Sequence, residues 1–253
     1  MLIPRVMPCL LLKDGALVKT VKFKNPSYIG DPINAVRIYN EKEVDELIFL
    51  DITATPENRK PPLKALSEIA SECFMPVAYG GGVRDLNDIE TIFKLGIEKV
   101  ALNSYAVSNP DFVRAAADKF GSQAVVVSID VLINKKGQYE VYTQGGQKAT
   151  GFDPVQYAVK MADIGAGEIL LTSIDRDGTQ SGYDINLIKS VTSAVNIPVI
   201  ACGGAAKVSD FSAAVKQGGA SACAAGSMVV YFGRNRAVLI NFPERQELEA
   251  ALT

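Results

Sequence analysis

Short apolar runs alternate with longer amphipathic stretches from one end of the chain to the other. The strand-like runs are Val6–Leu12, Leu47–Ile52, Pro76–Ala78, Val100–Leu102, Ala124–Ile129, Ile169–Thr172, Pro198–Ala201 and Ala222–Ala225. Between them the spacing of apolar positions predicts helices over Pro62–Glu72, Leu86–Leu95, Pro110–Phe120, Pro154–Ile164, Ile185–Ser193 and Val208–Gln217. Eight strands, each followed by a helix or a long loop, predict a parallel sheet. That sheet either closes on itself or stays open and doubly wound.

An internal repeat favours closure. Met75-Pro-Val-Ala-Tyr-Gly-Gly-Gly82 parallels Ile197-Pro-Val-Ile-Ala-Cys-Gly-Gly204, and Glu46-Leu-Ile-Phe-Leu50 parallels Glu168-Ile-Leu-Leu-Thr172. After each glycine motif come an amphipathic helix, a glycine (Gly96 or Gly219), a short strand and a polar end, Asn103-Ser104 or Gly226-Ser227. Two half-barrels of four βα units produce such a pattern. The expected fold is therefore a (βα)8 TIM barrel with a two-fold half-barrel repeat. With no interdomain linker in view, it forms one domain over residues 1–253.

Composition narrows the chemistry. At 253 residues, 48% apolar and 21% charged, the chain suits one well-buried core. A formal charge of −2 without a basic cluster points away from nucleic acid and anionic membrane as partners. The opening Met1-Leu-Ile-Pro-Arg-Val-Met-Pro8 is broken by two prolines and a charge, and no apolar run reaches membrane-spanning length, so a cytoplasmic protein is expected. Cys9, Cys202 and Cys223 lie in apolar runs and read as small buried thiols. The absence of histidine excludes histidine metal sites and histidine triads. No metal or cofactor is expected, and acid/base chemistry falls to carboxylates, lysine, tyrosine or cysteine.

Two sets of residues stand out at predicted strand ends. Gly80-Gly81-Gly82 and Gly203-Gly204 fall where strands give way to helices, and glycine there lets backbone N–H groups approach an anion. With Asn103-Ser104 and Gly226-Ser227 they predict two separate anion cups, and Asp177-Gly178-Thr179 shapes the second. Two cups suit a long substrate bearing two phosphates. Strand-end carboxylates, poor core residues when unpaired, are Asp51, Asp130, Asp175 and Asp177. Asp130 closes an apolar run and should project at the centre of the mouth; the matching place in Cys9-Leu10-Leu11-Leu12-Lys13 is Leu11. At the opposite end Arg5, Glu46, Lys99 and Glu168 each precede an apolar run, and could form a salt-bridged ring.

These residues together resemble the cyclase subunit of imidazole glycerol phosphate synthase, the HisF family. The resemblance covers nearly the whole chain. It rests on Lys13-Asp14-Gly15, Asp45-Glu46-Leu47 with Phe49-Leu-Asp-Ile-Thr53, Gly80-Gly-Gly-Val-Arg84, Phe120-Gly-Ser-Gln123 and Leu170-Leu-Thr-Ser-Ile-Asp-Arg-Asp-Gly-Thr179. It implies a HisH-type glutaminase docked at the barrel bottom, releasing ammonia that crosses the barrel to react with a bisphosphorylated substrate. It makes Arg5, Glu46, Lys99 and Glu168 an ammonia gate, and Glu98 and Gln123 part of the docking region. It assigns Gly82, Asn103 and Ser104 to one phosphate, and Asp177, Gly178, Gly204, Gly226 and Ser227 to the other. Lys19 is placed on a mobile loop closing over the substrate. The family's two catalytic aspartates map to Asp130 and to Leu11, so one acid is missing. Without that partner, Asp130 is expected to escape like-charge repulsion.

The resemblance leaves three functions open. A diverged paralogue would keep the glutaminase interface and deliver ammonia to a third protein, a sugar amidotransferase making acetamidino sugars for surface polysaccharide. An authentic cyclase of histidine biosynthesis would need another group in place of the lost acid. A binding barrel would activate its glutaminase without delivering ammonia. The retained cups predict a phosphorylated small-molecule ligand.

Overall fold

The computed structural model describes residues 3–233 and 235–253. Met1 and Leu2, on which the reading of the chain's opening partly rests, lie outside the described residues. The barrel strands are β1 (Arg5–Lys13), β2 (Leu47–Asp51), β3 (Val77–Gly80), β4 (Lys99–Leu102), β5 (Val125–Ile133), β6 (Glu168–Ser173), β7 (Val199–Cys202) and β8 (Ala222–Ala225). Each pairs in parallel with its neighbours in sequence, and β8 pairs with β1, so the sheet closes. The longer helices are α1 (Pro32–Glu41), α2 (Leu63–Glu72), α3 (Leu86–Lys94), α4 (Pro110–Phe120), α5 (Pro154–Ile164), α6 (Ile185–Thr192), α7 (Val208–Lys216) and α8 (Arg245–Leu252), and a short helical turn, Ser104–Ser108, follows β4. The protein is a (βα)8 TIM barrel.

Local chemistry sets the helix starts. Asp31, Asp85, Asp153 and Asp184 each accept a backbone N–H of the first turn, and Pro32 and Pro154 occupy first-turn positions where no N–H is needed. Alternation along the strands divides the core in two. Residues such as Leu10, Phe49, Tyr79, Val127 and Leu171 pack outward under the helices. Met7, Cys9, Ile48, Ala78, Ala101, Val126, Leu170, Ile200, Ala222 and Ala224 point inward, giving an apolar barrel interior.

Three hairpins occupy segments that the apolar pattern leaves as loops. Ala16–Val21 and Lys24–Gly30 fold back on β1, Tyr139–Thr143 and Lys148–Ala149 extend from β5, and Tyr231–Phe232 pairs with Ala237–Val238. The first begins at Asp14-Gly15, both at positive φ (53° and 79°), between the paired Lys13 and Ala16. Asp-Gly is the preferred pair for such a two-residue turn. Helices α1 and α8 were likewise absent from the apolar pattern.

Candidate active site and the two ends of the barrel

A cavity of about 790 Å³ opens where the C-terminal ends of the strands meet. Leu11, Lys19, Gly82, Asn103, Ser104, Asp130, Asp177, Gly178, Gly204, Gly226 and Ser227 all line it. The cavity thus gathers Asp130 with the residues expected for the two phosphates, while Asp175 and Thr179 stand outside its lining.

Strand register establishes the equivalence of Leu11 and Asp130. The halves repeat at a spacing of 122 residues at β2 and β6, where Leu50 matches Thr172. Leu11 is the partner of Leu50 on β2, and Asp130 is the partner of Thr172 on β6. Where one half carries an aspartate beside a threonine, the other carries two leucines. Leu11 is 8% exposed and faces the cavity, so it presents an apolar wall rather than a hidden core side chain.

Asp130 is 9% exposed and well held. Asn103 Nδ2 donates to its Oδ2 at 3.2 Å, and Ser128 Oγ to its Oδ1 at 3.4 Å. Burial pushes the carboxyl up to about 7, against the pull of the Ser128 and Thr172 hydroxyls, and Asp177 raises it further. Leu11 adds no charge beside it, while Asp177 supplies some repulsion and desolvation is the largest cause of the rise. Ser128 and Thr172 were not singled out from the sequence. The period-two alternation running back from Asp130 marks the first, and the repeat marks the second.

Lys19 belongs to the first hairpin. It lies within the strand Ala16–Val21, 6% exposed, and donates from Nζ to the Cys9 carbonyl at 2.6 Å. Its ammonium packs against Gly226, where a Cβ would collide with it. It is thus folded into the mouth beside the second cup rather than carried on an open loop. Asp177 anchors the same hairpin, accepting from Thr20 Oγ1 at 3.0 Å while its backbone carbonyl accepts Lys22 N at 2.9 Å. Burial raises the Asp177 carboxyl, and Lys19 opposes that rise. Cys9 and Cys202 meet at the base of the mouth. The hydrogen bond between them lowers the Cys9 thiol and raises that of Cys202.

The other strand-end acids divide. Asp51 lines the cavity, but its Oδ1 accepts from Thr53 N, Thr53 Oγ1 and Ala54 N, and Arg59 lies at 3.4 Å, so it mainly holds the loop after β2. Asp175 does not line the cavity. It accepts the backbone N–H of Ile133 at 2.9 Å and props the end of β5. In the first cup Gly82 sits at φ 70°, and any side chain there would strike the Arg59 carbonyl, so only glycine fits. Ser104 Oγ donates to Asn103 Oδ1 and accepts Gln144 N at 3.0 Å.

At the opposite end the four charges close into a ring. Arg5 reaches Glu46 at 2.5 Å and Glu168 at 2.6 Å, and Lys99 reaches the same two carboxylates at 3.0 and 3.1 Å. Each cation touches both anions. Burial alone would lower Arg5, but Glu168 and Glu46 hold it above its ordinary value. Glu98 and Gln123 are exposed at this end, directly before Lys99 and at the start of β5. Among the described residues, no group of three or more histidine, cysteine, aspartate or glutamate side chains is arranged to hold a metal. No described helix is long and apolar enough to cross a membrane.

Fold and site together define a (βα)8 barrel whose mouth holds Asp130 between glycine-rich strand ends, with a charged ring at its base. The profile of the histidine biosynthesis protein family matches residues 5–235. A Pseudomonas aeruginosa protein, provisionally named imidazole glycerol phosphate synthase subunit hisF2, is 50% identical over 245 residues, 97% of this chain and 98% of its own. A Leptospira interrogans protein, provisionally named subunit HisF of the same synthase, is 44% identical over 253 residues, 99% of each chain. Imidazole glycerol phosphate synthase subunit HisF of Hyphomonas neptunium is 52% identical over 233 residues, 92% of each chain. The chain belongs to the HisF family of histidine biosynthesis proteins.

Proposed function

We propose that this barrel channels ammonia for a glutamine amidotransferase complex and has diverged from cyclisation. The observation that carries the reading is the pairing of Leu11 with Leu50 where the other half pairs Asp130 with Thr172. A cyclising mouth needs two positioned acid/base groups, and this one presents a carboxylate facing a hydrocarbon wall. Loss of one such group typically costs about 10²–10⁴ in rate.

In this reading a HisH-type glutaminase docks over Glu98 and Gln123 and releases ammonia at the ring of Arg5, Glu46, Lys99 and Glu168. The ring acts as a gate. Beyond it the interior from Met7 to Ala224 is apolar, which passes a neutral molecule and strongly disfavours an ion. The mouth then delivers ammonia to a third protein, a sugar amidotransferase making acetamidino sugars for surface polysaccharide. The cups, with Lys19 beside the second, hold a phosphorylated small molecule whose presence couples the two ends. The work is cytoplasmic, where glutamine and phosphorylated sugars are found.

One observation favours a second reading, the authentic cyclase of histidine biosynthesis: the residues expected to form both cups line the mouth, and a pure conduit does not need them. Glutamine labelled with ¹⁵N in the amide, supplied to the barrel and glutaminase together with the bisphosphate imidazole precursor, separates the two. The proposed function predicts labelled free ammonia and unchanged precursor. Label in an imidazole product would establish the cyclase instead.

A further inference from the structure

The third hairpin is exposed on its outer face at Phe232 and Val238, so it adds little to the core. Its two strands, Tyr231–Phe232 and Ala237–Val238, are too short to hold together on their own in water. What fixes it is its base and its inner face. At the base, Leu239 N donates to the Val230 carbonyl at 2.9 Å and Asn241 N to the Val229 carbonyl at 3.0 Å. Val229 and Val230 are fully buried. The hairpin therefore springs directly from the turn that carries Gly226 and Ser227.

The inner face touches two other segments that border the second cup. The Arg236 guanidinium lies over the Tyr231 ring, 4.7 Å from its centroid, and Nη2 donates to the Gly178 carbonyl at 3.3 Å. The Tyr231 hydroxyl meets Ser27 Oγ at 3.1 Å, and Ser27 Oγ donates to the Lys19 carbonyl at 3.2 Å. A serine hydroxyl has one proton, so Tyr231 donates to Ser27. The first hairpin and the Asp177–Thr179 loop are joined in turn by Thr20 and Asp177, and Gly178 packs so closely on the Thr20 carbonyl that no Cβ fits. Three segments thus close a triangle of contacts around the second cup.

We infer that Tyr231 and Arg236 are positioning residues that hold Lys19 and Gly178 in place for an anion in the second cup. This rests on the function proposed above, in which that cup holds a phosphorylated molecule. Groups that converge on a ligand bind it best when they are ordered beforehand, because ordering them on binding costs entropy. Lys19 reaches the cup on a flexible stem, and fixing its backbone through Ser27 limits where the ammonium can go. Arg236 plays the matching part at Gly178. Its planar guanidinium can stack on Tyr231 and reach the carbonyl at once, which a lysine ammonium cannot do.

The test follows the Ser227 amide by ¹⁵N NMR as inorganic phosphate is added to the full chain, which reads the second cup apart from the first. Tyr231→Phe keeps the ring under Arg236 and loses only the hydroxyl. It should weaken phosphate binding roughly threefold to tenfold, the span of one hydrogen bond, while melting as the native chain does. In a Lys19→Met background the same change should cost less than about 1.5-fold, because the residue it acts through is gone. Arg236→Ala should weaken binding about tenfold, and Arg236→Lys should not restore it. Full recovery in Arg236→Lys overturns the positioning role of Arg236 and leaves only its charge. Equal losses from Tyr231→Phe in both backgrounds, or none in either, overturn the clamp and leave the cup standing. A native chain whose Ser227 amide does not respond to phosphate overturns cup and clamp together.

Discussion

The two ends of this barrel handle charge in opposite ways. At the bottom, two cations and two carboxylates form a closed ring in which each group touches two of opposite sign. At the mouth, Asp130 sits among hydroxyls and an amide with Leu11 in the place of a second carboxylate, and burial raises its proton affinity. The bottom is electrostatically complete and the mouth is short of one partner. On the function proposed above, the difference teaches that the machinery for admitting a small molecule and the machinery for reacting it can diverge separately on one scaffold.

Restoring the missing acid should have the largest effect. Leu11→Asp at saturating ammonium should raise turnover of the bisphosphate precursor by about 10²–10⁴, read as product formation per barrel. Breaking the complete end is next. Glu46 is 2% exposed and serves both cations, so Glu46→Ala should destabilise the barrel by about 3–5 kcal/mol in urea denaturation.

The incomplete end predicts a gain whose size depends on pH. Asp130 is raised in the folded protein from its ordinary value near 3.8 to about 7. The native state thus binds more protons than the unfolded chain between those values, and its stability falls as pH rises through that window. Asp130→Asn should therefore stabilise the protein at pH 8 by up to about 4 kcal/mol and give little at pH 4. A gain of equal size at both pH values would contradict the account. Gly226→Ala should do least. The added methyl meets the flexible end of Lys19, so stability should drop by only about 1 kcal/mol. Inorganic phosphate binding should weaken with it, which equilibrium dialysis would show.

The eight strands were legible because each is buried on both faces and reads as an apolar run. The two-fold repeat then pointed to closure, and register confirms that Leu11 and Asp130 match. The hairpins were not legible. Lys13-Asp14-Gly15 lies between apolar runs that carry no mark of its turn geometry, in which Asp14 and Gly15 both take positive φ. Lys19 illustrates a different limit. Lysine is mostly exposed, and only the fold of the hairpin reveals that this one is buried against a carbonyl. The basicity of Asp130 depends on burial by β5, β6 and the second hairpin together, which no local pattern records.

The central claim is that the mouth lacks one acid and is otherwise intact. It is tested most directly by ammonium-dependent turnover of the bisphosphate imidazole precursor by the native chain and by Leu11→Asp, without any glutaminase. The account predicts negligible turnover by the native chain and a gain of at least about 10² in the variant. Efficient turnover by the native chain, unimproved by the added aspartate, would contradict it.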